Sequence, residues 1–172
     1  MTDLSTIEFA LAEASDAGPV ADLRAAVAAD LTSRFGTGHW SSSGSAQAVL
    51  RDLAVSRVLL AKHEGRPVGT LRLTPRKPWA IDPSYFTKSQ TPLYLSDMAV
   101  VPALQGRGIG RRCLEEAARM ARSWPADAIR LDAYEAAAGA GAFYARCGYR
   151  EVGRTKFRDA PLIYYEYVLA QE

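Results

Sequence analysis

The stretch from Leu93 to Trp124, LYLSDMAVVPALQGRGIGRRCLEEAARMARSW, most constrains what this chain can fold into. It reads as a strand, a glycine loop and a long helix. Leu93 to Val100 is apolar at nearly every position, the pattern of a central strand covered on both faces, and Pro102 stops it. Gln105-Gly106-Arg107-Gly108-Ile109-Gly110 then sets three glycines on alternate positions at the mouth of a helix, where backbone can approach a ligand closely. The first turn of a helix has unpaired N–H groups and a partial positive charge, so it is a ready site for a phosphate or pyrophosphate. Arg107, Arg111 and Arg112 add full charges nearby. Ile109, Cys113, Ala117, Met120 and Trp124 recur at spacings of three and four and predict one buried stripe. Arg111, Arg112, Glu115, Glu116, Arg119 and Arg122 take the other side, with Glu115 and Arg119 expected to pair four apart. Pro125 ends the run.

Spacing separates the phosphate loops that could claim this stretch. A P-loop needs Lys-Ser or Lys-Thr after its last glycine, and Arg111-Arg112 stands there. A dinucleotide fingerprint needs its third glycine three after the second, directly off a strand near the start of a repeated unit. Here the third glycine comes two after the second, and the loop lies past the middle of the chain.

The 172 residues suit one domain spanning 1–172, large enough to bury roughly 70% of the unfolded surface without a metal or disulfide staple. A formal charge of +2 is too small to argue for nucleic acid, and basic residues clustered at the glycine loop fit a small polyanion better than a duplex. Cys113 and Cys147 are not in a paired motif and read as reduced core thiols. The first residues carry two acids and no basic n-region, and no apolar run approaches the ~20 residues of a span. A soluble, cytoplasmic protein without a membrane partner is therefore expected.

In chain order, Ile7 to Ala12 is a short opening strand, and Ser15-Asp16 opens a helix with Pro19 in its first turn and Val20, Leu23, Val27 and Leu31 on its core face. A Gly/Ser-rich loop with His39 and Trp40 leads to a second helix, Ala46 to Val55. Arg57 to His63 and Val68 to Leu73 predict a hairpin turning at Glu64-Gly65-Arg66-Pro67. The connection from Pro75 to Pro92 holds four prolines, and its Trp79, Tyr85 and Phe86 must pack on something, either as anchors or as a pocket wall. After the long helix come a strand, Ala128 to Ala133, a short helix, Gly139 to Arg146, and a closing hairpin of Tyr149 to Phe157 with Leu162 to Leu169. Glycines in the short helix imply a close approach of something to it. The order predicts a mixed α/β fold of the α+β kind, a mostly antiparallel central sheet with helices on both faces.

Gln105, Gly108 and Gly110, set between the apolar strand ending Met98-Ala99-Val100-Val101-Pro102 and an amphipathic helix, resemble the acetyl-CoA motif of the GNAT superfamily of N-acetyltransferases, Gln/Arg-x-x-Gly-x-Gly/Ala. Leu131-Asp132-Ala133-Tyr134 through Phe143-Tyr144-Ala145-Arg146-Cys147-Gly148-Tyr149 resembles that family's second strand, short helix and aromatic-Tyr-x-x-x-Gly-aromatic ending. The element order is similar to the GNAT fold from end to end. One position departs: where the family often has an asparagine that hydrogen-bonds the pantetheine arm, seven before the tyrosine, this chain has Ala137.

The resemblance implies transfer of an acetyl group from acetyl-CoA to a primary amine of a small molecule or peptide, by direct attack in a ternary complex. It implies donor binding by Gln105, Gly106, Arg107, Gly108, Ile109, Gly110 and Arg111, with backbone N–H groups of Met98, Ala99 and Val100, where the strand before the loop bulges, at the thioester. Tyr144 then corresponds to the acid for the departing thiolate, and Asp132, twelve before it, to the base, with Asp97 a further carboxylate on the strand before the loop. The rival is a domain that senses acyl-CoA without turnover. No Gly-x-Ser-x-Gly sequence, no cluster with metal spacing and no paired histidine competes, so no metal is expected. The amine's identity and a homodimer are both left open.

Overall fold

The computed structural model describes residues 3–170; the ends of the expected 1–172 domain lie outside them. Seven strands form one sheet: β1 (Ile7–Leu11), β2 (Arg57–His63), β3 (Arg66–Thr74), β4 (Pro92–Val100), β5 (Ala128–Tyr134), β6 (Arg150–Phe157) and β7 (Ala160–Val168). Four α-helices accompany it: α1 (Ala17–Phe35), α2 (Ala46–Val55), α3 (Ile109–Ser123) and α4 (Gly141–Arg146). The spatial order is β1-β2-β3-β4-β5-β7-β6, which makes the strand before the glycine loop the central one. Its ladder with β5 is parallel, and the other ladders are antiparallel. That one parallel pair is what a strand–helix–strand crossover through α3 produces.

Alternation along the strands splits the core in two. Leu59, Leu71, Leu93, Leu95, Ile129, Leu131 and Ile163 face α3, meeting Ile109, Cys113, Leu114, Ala117 and Ala121. Val58 and Leu60 face the opposite way, onto Val20 and Ala21 of α1 and Val49 of α2. The predicted α3 stripe is the observed one: Ile109, Cys113 and Ala117 are buried, with Met120 and Trp124 packed at the core's margin. Burial pushes the Cys113 thiol up to about 12, so it stays protonated in the core at neutral pH.

Two local expectations shift. Arg119 pairs with Glu116 rather than Glu115. On α1, Val20 and Leu23 are buried, while Val27 and Leu31 are only half-buried and Arg24 takes the inner position instead. Asp52 of α2 makes that burial tolerable by accepting from Arg24 Nη1 at 3.3 Å.

The proline-rich connection before β4 is pinned to the sheet by charge as well as by rings. Glu166 of β7, fully buried, accepts from Arg130 Nε of β5 at 3.3 Å and from the Thr87 backbone N–H at 3.2 Å. Arg130 Nη2 donates to the Thr87 carbonyl at 2.6 Å. Phe86 and Tyr85 pack on Tyr164, ring centroids 5.2 and 5.3 Å apart, whereas Trp79 is 86% exposed and, contrary to expectation, anchors nothing.

Candidate active site

β4 and β5 stay together only briefly. Their paired residues are Pro92 with Ala128, Leu93 with Ile129, and Tyr94 with Arg130, and there the ladder ends. β4 nevertheless remains paired with β3 as far as Val100, and β5 with β7 as far as Tyr134. The two strands therefore part inside the sheet, each turning one edge of backbone N–H and C=O groups toward the gap. Such groups demand partners, so the split is a place for an extended, amide-bearing ligand.

One end of the split meets the glycine loop. Gln105 Nε2 donates to the Val100 carbonyl at 3.1 Å, tying the loop to the strand end. Gly106 and Gly108 have φ of +74° and +85°, and a Cβ on either would meet nothing within 4 Å, so open space lies directly over this backbone. α3 starts behind it, its first bond running from Arg112 N to the Gly108 carbonyl at 3.1 Å, which leaves the first-turn amides without intrahelical partners. Arg107 is exposed beside them. Arg111 Nη2 donates to the Arg146 carbonyl at 3.1 Å and links α3 to α4. Arg112 does not join the group: it donates to the Leu4 carbonyl at 2.9 Å and lies over Phe9. The Ile109 side chain is buried in the core, so only its backbone is offered to the loop.

Tyr144 and Asp132 flank the split from opposite faces of the sheet. Tyr144, on α4, belongs to the α3-side core and packs among Phe143, Tyr149 and Tyr165. Its hydroxyl lies 3.7 Å from Met98 Sδ, a soft and weak partner. Burial, and then the nearby Asp132 charge, push its phenol well above the ordinary range, so it carries its proton at any physiological pH. Asp132 alternates with Leu131 and Ala133 and so points to the α1 side, register-paired with Tyr164. It is half-buried and forms no ion pair, and burial raises its carboxyl.

Three aromatic side chains gather beside Asp132. Tyr134, two residues along the same face, donates to the His39 carbonyl at 3.3 Å, and its ring stacks with His39 and meets Trp40 edge-on, both at 6.0 Å. Its phenol is raised by burial, then by the charges of Asp132 and Asp97. Sequence reasoning read His39 and Trp40 one by one as exposed loop residues, while expecting the variable stretches 35–43 and 79–86 to build the acceptor pocket, and gave Tyr134 no role; strand alternation from Asp132 was the signal that could have found Tyr134.

Asp97 sits at a bulge in β4. Thr70 of β3 pairs with Ala99 while Arg72 pairs with Ser96, so Asp97 and Met98 together oppose Leu71. Gly139 and Gly141 allow the expected close approach at α4: Cβ atoms there would come within 1.9 Å of the Tyr134 carbonyl oxygen and 2.5 Å of Tyr165 Oη. Ala137 is exposed in the turn before α4 and offers no side-chain amide. Among the described residues no group of three or more His, Cys, Asp or Glu could hold a metal ion, and no helix is long and apolar enough to cross a membrane.

A mixed sheet split between its two parallel strands, with a glycine loop and helix N-terminus at the mouth, is an acetyltransferase architecture. The model of the acetyltransferase (GNAT) family matches residues 25–149, and the chain belongs to this family. No curated protein matches in sequence. Among solved structures, yncA of Salmonella typhimurium with its cofactor acetyl-CoA is 17% identical, with a TM-score of 0.68 over 96% of this chain and 95% of that one. The ribosomal-protein-S18-alanine N-acetyltransferase of Escherichia coli is 14% identical, with a TM-score of 0.71 over 97% and 96%. The PaiA N-acetyltransferase of Thermoplasma acidophilum in complex with coenzyme A is 13% identical, with a TM-score of 0.71 over 94% and 99%. At these identities the likeness is one of fold.

Proposed function

We propose that the chain is an N-acetyltransferase that moves the acetyl group of acetyl-CoA to a primary amine of a small molecule or peptide, by direct attack in a ternary complex. The observation that carries the proposal is the split after Tyr94 and Arg130, with an anion-ready helix start at its mouth and Asp132 and Tyr144 facing it from opposite sides. The residues fit the donor. The open space over Gly106 and Gly108 and the free amides of Ile109, Gly110 and Arg111 suit a pyrophosphate, with Gln105 holding the loop and Arg107 adding charge. Acetyl-CoA supplies the activated thioester.

The chain's own groups divide the remaining work. The free edge of β4 at Met98, Ala99 and Val100 pairs with the amides of the pantetheine arm and donates to the carbonyl oxygen as charge builds on it. Asp132, whose carboxyl burial raises, takes a proton from the acceptor ammonium and leaves the neutral nitrogen to form its bond to the acyl carbon. Tyr144 gives its phenolic proton to the sulfur as the carbon–sulfur bond breaks, and the second proton, shed by the nitrogen as the amide forms, restores the phenol. The acceptor enters on the α1 side, where Tyr134, Trp40 and His39 form an aromatic wall along the same face as Asp132.

The two free thiols fit a reducing, cytoplasmic setting. A homodimer would cover the exposed Leu11, Leu50 and Val55 beside edge strand β1, and light scattering reports it directly. One assay tests the activity: release of free CoA thiol from acetyl-CoA across a panel of primary amines. Release that needs both protein and amine is expected. Tight acetyl-CoA binding with no thiol release from any amine would instead identify a sensor.

A further inference from the structure

Four non-glycine residues have a left-handed backbone among the described residues, and three of them have an ordinary reason. Glu64 lies in the β2–β3 turn, and Arg158 and Asp159 in the β6–β7 turn, where tight hairpins demand positive φ. Asp97, with φ of +54°, is inside a strand. A bulge of this kind ordinarily uses glycine at the left-handed position, because a Cβ is strained there. The side chain of Asp97 supplies the compensation. Its Oδ2 lies 3.2 Å from Arg72 Nε and accepts from Ser96 Oγ at 3.3 Å.

Arg72 is itself fixed on several sides. Its Nε donates to Ser96 Oγ at 3.1 Å and its Nη1 to Asp52 Oδ1 of α2 at 2.7 Å, while Asp52 Oδ2 is held by Arg24 of α1. A line of alternating charges, Arg24, Asp52, Arg72 and Asp97, thus runs from the helix pair to the bulge. The bulge in turn aims the free amide edge of β4 that follows it into the split.

We infer that Arg72 is a positioning residue for acyl transfer: by holding Asp97 left-handed, it sets the bulge that presents the amides of Met98, Ala99 and Val100 to the donor. The inference rests on the donor reading above. Arg72 touches neither the donor nor the acceptor in this scheme; it acts only through Asp97.

Glycine needs no anchor at +54°, and that separates positioning from general support of the fold. Arg72→Met is expected to weaken acetyl-CoA affinity in calorimetry by roughly fivefold to thirtyfold, the weight of releasing one left-handed residue. Asp97→Gly alone is expected to bind like the parent. In the Asp97→Gly background, Arg72→Met is expected to cost less than about twofold. Equal losses with and without Asp97→Gly, or no loss in either, would overturn the proposal. If Arg72→Met does not fold, Arg72→Lys carries the same test, because a single nitrogen replaces the Nη1 and Nε that divide the contacts to Asp52 and Asp97. A parent that binds no acetyl-CoA refutes the donor reading instead. Hydrogen exchange over residues 97–100, which needs no ligand, still decides the role of Arg72: faster exchange in Arg72→Met supports it, and unchanged exchange overturns it.

Discussion

Phe143 of α4 lies directly against Gly110 of α3, so close that a Cβ at 110 would come within 2.9 Å of the ring's Cζ. The contact joins the glycine loop to the helix that carries Tyr144, whose ring is 5.3 Å from that of Phe143. Gly110→Ala should therefore act on the site rather than on the fold. The partner is the far end of a side chain that can move, and alanine is the better helix former by up to about 1 kcal/mol. We expect a melting temperature within about 4 °C of the parent and kcat lowered by up to about 10²-fold through misplacement of Tyr144. Unchanged kcat would show that Phe143 relaxes without consequence.

Gly108→Asp places a carboxylate where the backbone is open and the charge should be positive. Donor binding should be lost in calorimetry while circular dichroism stays that of the parent. Retained acetyl-CoA affinity would remove the loop from the donor site.

Asp132 is a half-buried carboxylate with no ion pair, so its ionised form is disfavoured in the folded chain. Its folded pKa lies above its unfolded one, so the native state holds the proton more tightly, and this contribution to stability is lost as pH rises through the folded pKa. Asp132→Asn should consequently melt higher than the parent at neutral pH, and the difference should vanish as pH falls below the Asp range. The same variant should lose roughly 10²–10⁴-fold in kcat, the scale of a missing general base. A variant that is stabilised yet fully active would leave Asp132 as structural strain without a catalytic use.

Much of this site was legible because its signals are local. Three glycines at the mouth of an apolar-striped helix are read from adjacent residues, and Ile109, Cys113 and Ala117 lie where the period puts them. What could not be read depends on partners remote in the chain. Arg24 is inside only because Asp52 receives it, which turns the buried face of α1 away from Val27 and Leu31. The bulge at Asp97 is a register mismatch with β3, a strand more than twenty residues earlier; the family resemblance implies a bulge in this strand, but no residue type in the run 93–100 fixes it at Asp97. Arg130 and Glu166 sit in strands read by their apolar residues, and their pairing exists only once β5 and β7 are neighbours.

That buried pair yields a stability prediction. Glu166→Gln leaves Arg130 buried without its counter-charge, a change that typically costs about 3–5 kcal/mol. At about 2–4 °C per kcal/mol for a chain of this size, the melting temperature should fall by roughly 6–20 °C. The 75–91 connection, released at Thr87, should also be cut earlier than the rest of the chain in limited proteolysis. A melting temperature within about 2 °C of the parent would show that the pair contributes no net stability.

The most direct measurement is the single-turnover rate of acetyl transfer in the parent and in Tyr144→Phe, with acetyl-CoA affinity determined separately. The ring is buried among aromatics, so the variant should bind donor as the parent does. The proton for the departing thiolate is gone, so the parent should transfer acetyl to its amine and the variant should be slower by roughly 10²–10⁴-fold. A variant rate within about threefold of the parent, or a parent that binds acetyl-CoA and transfers nothing, would contradict the account.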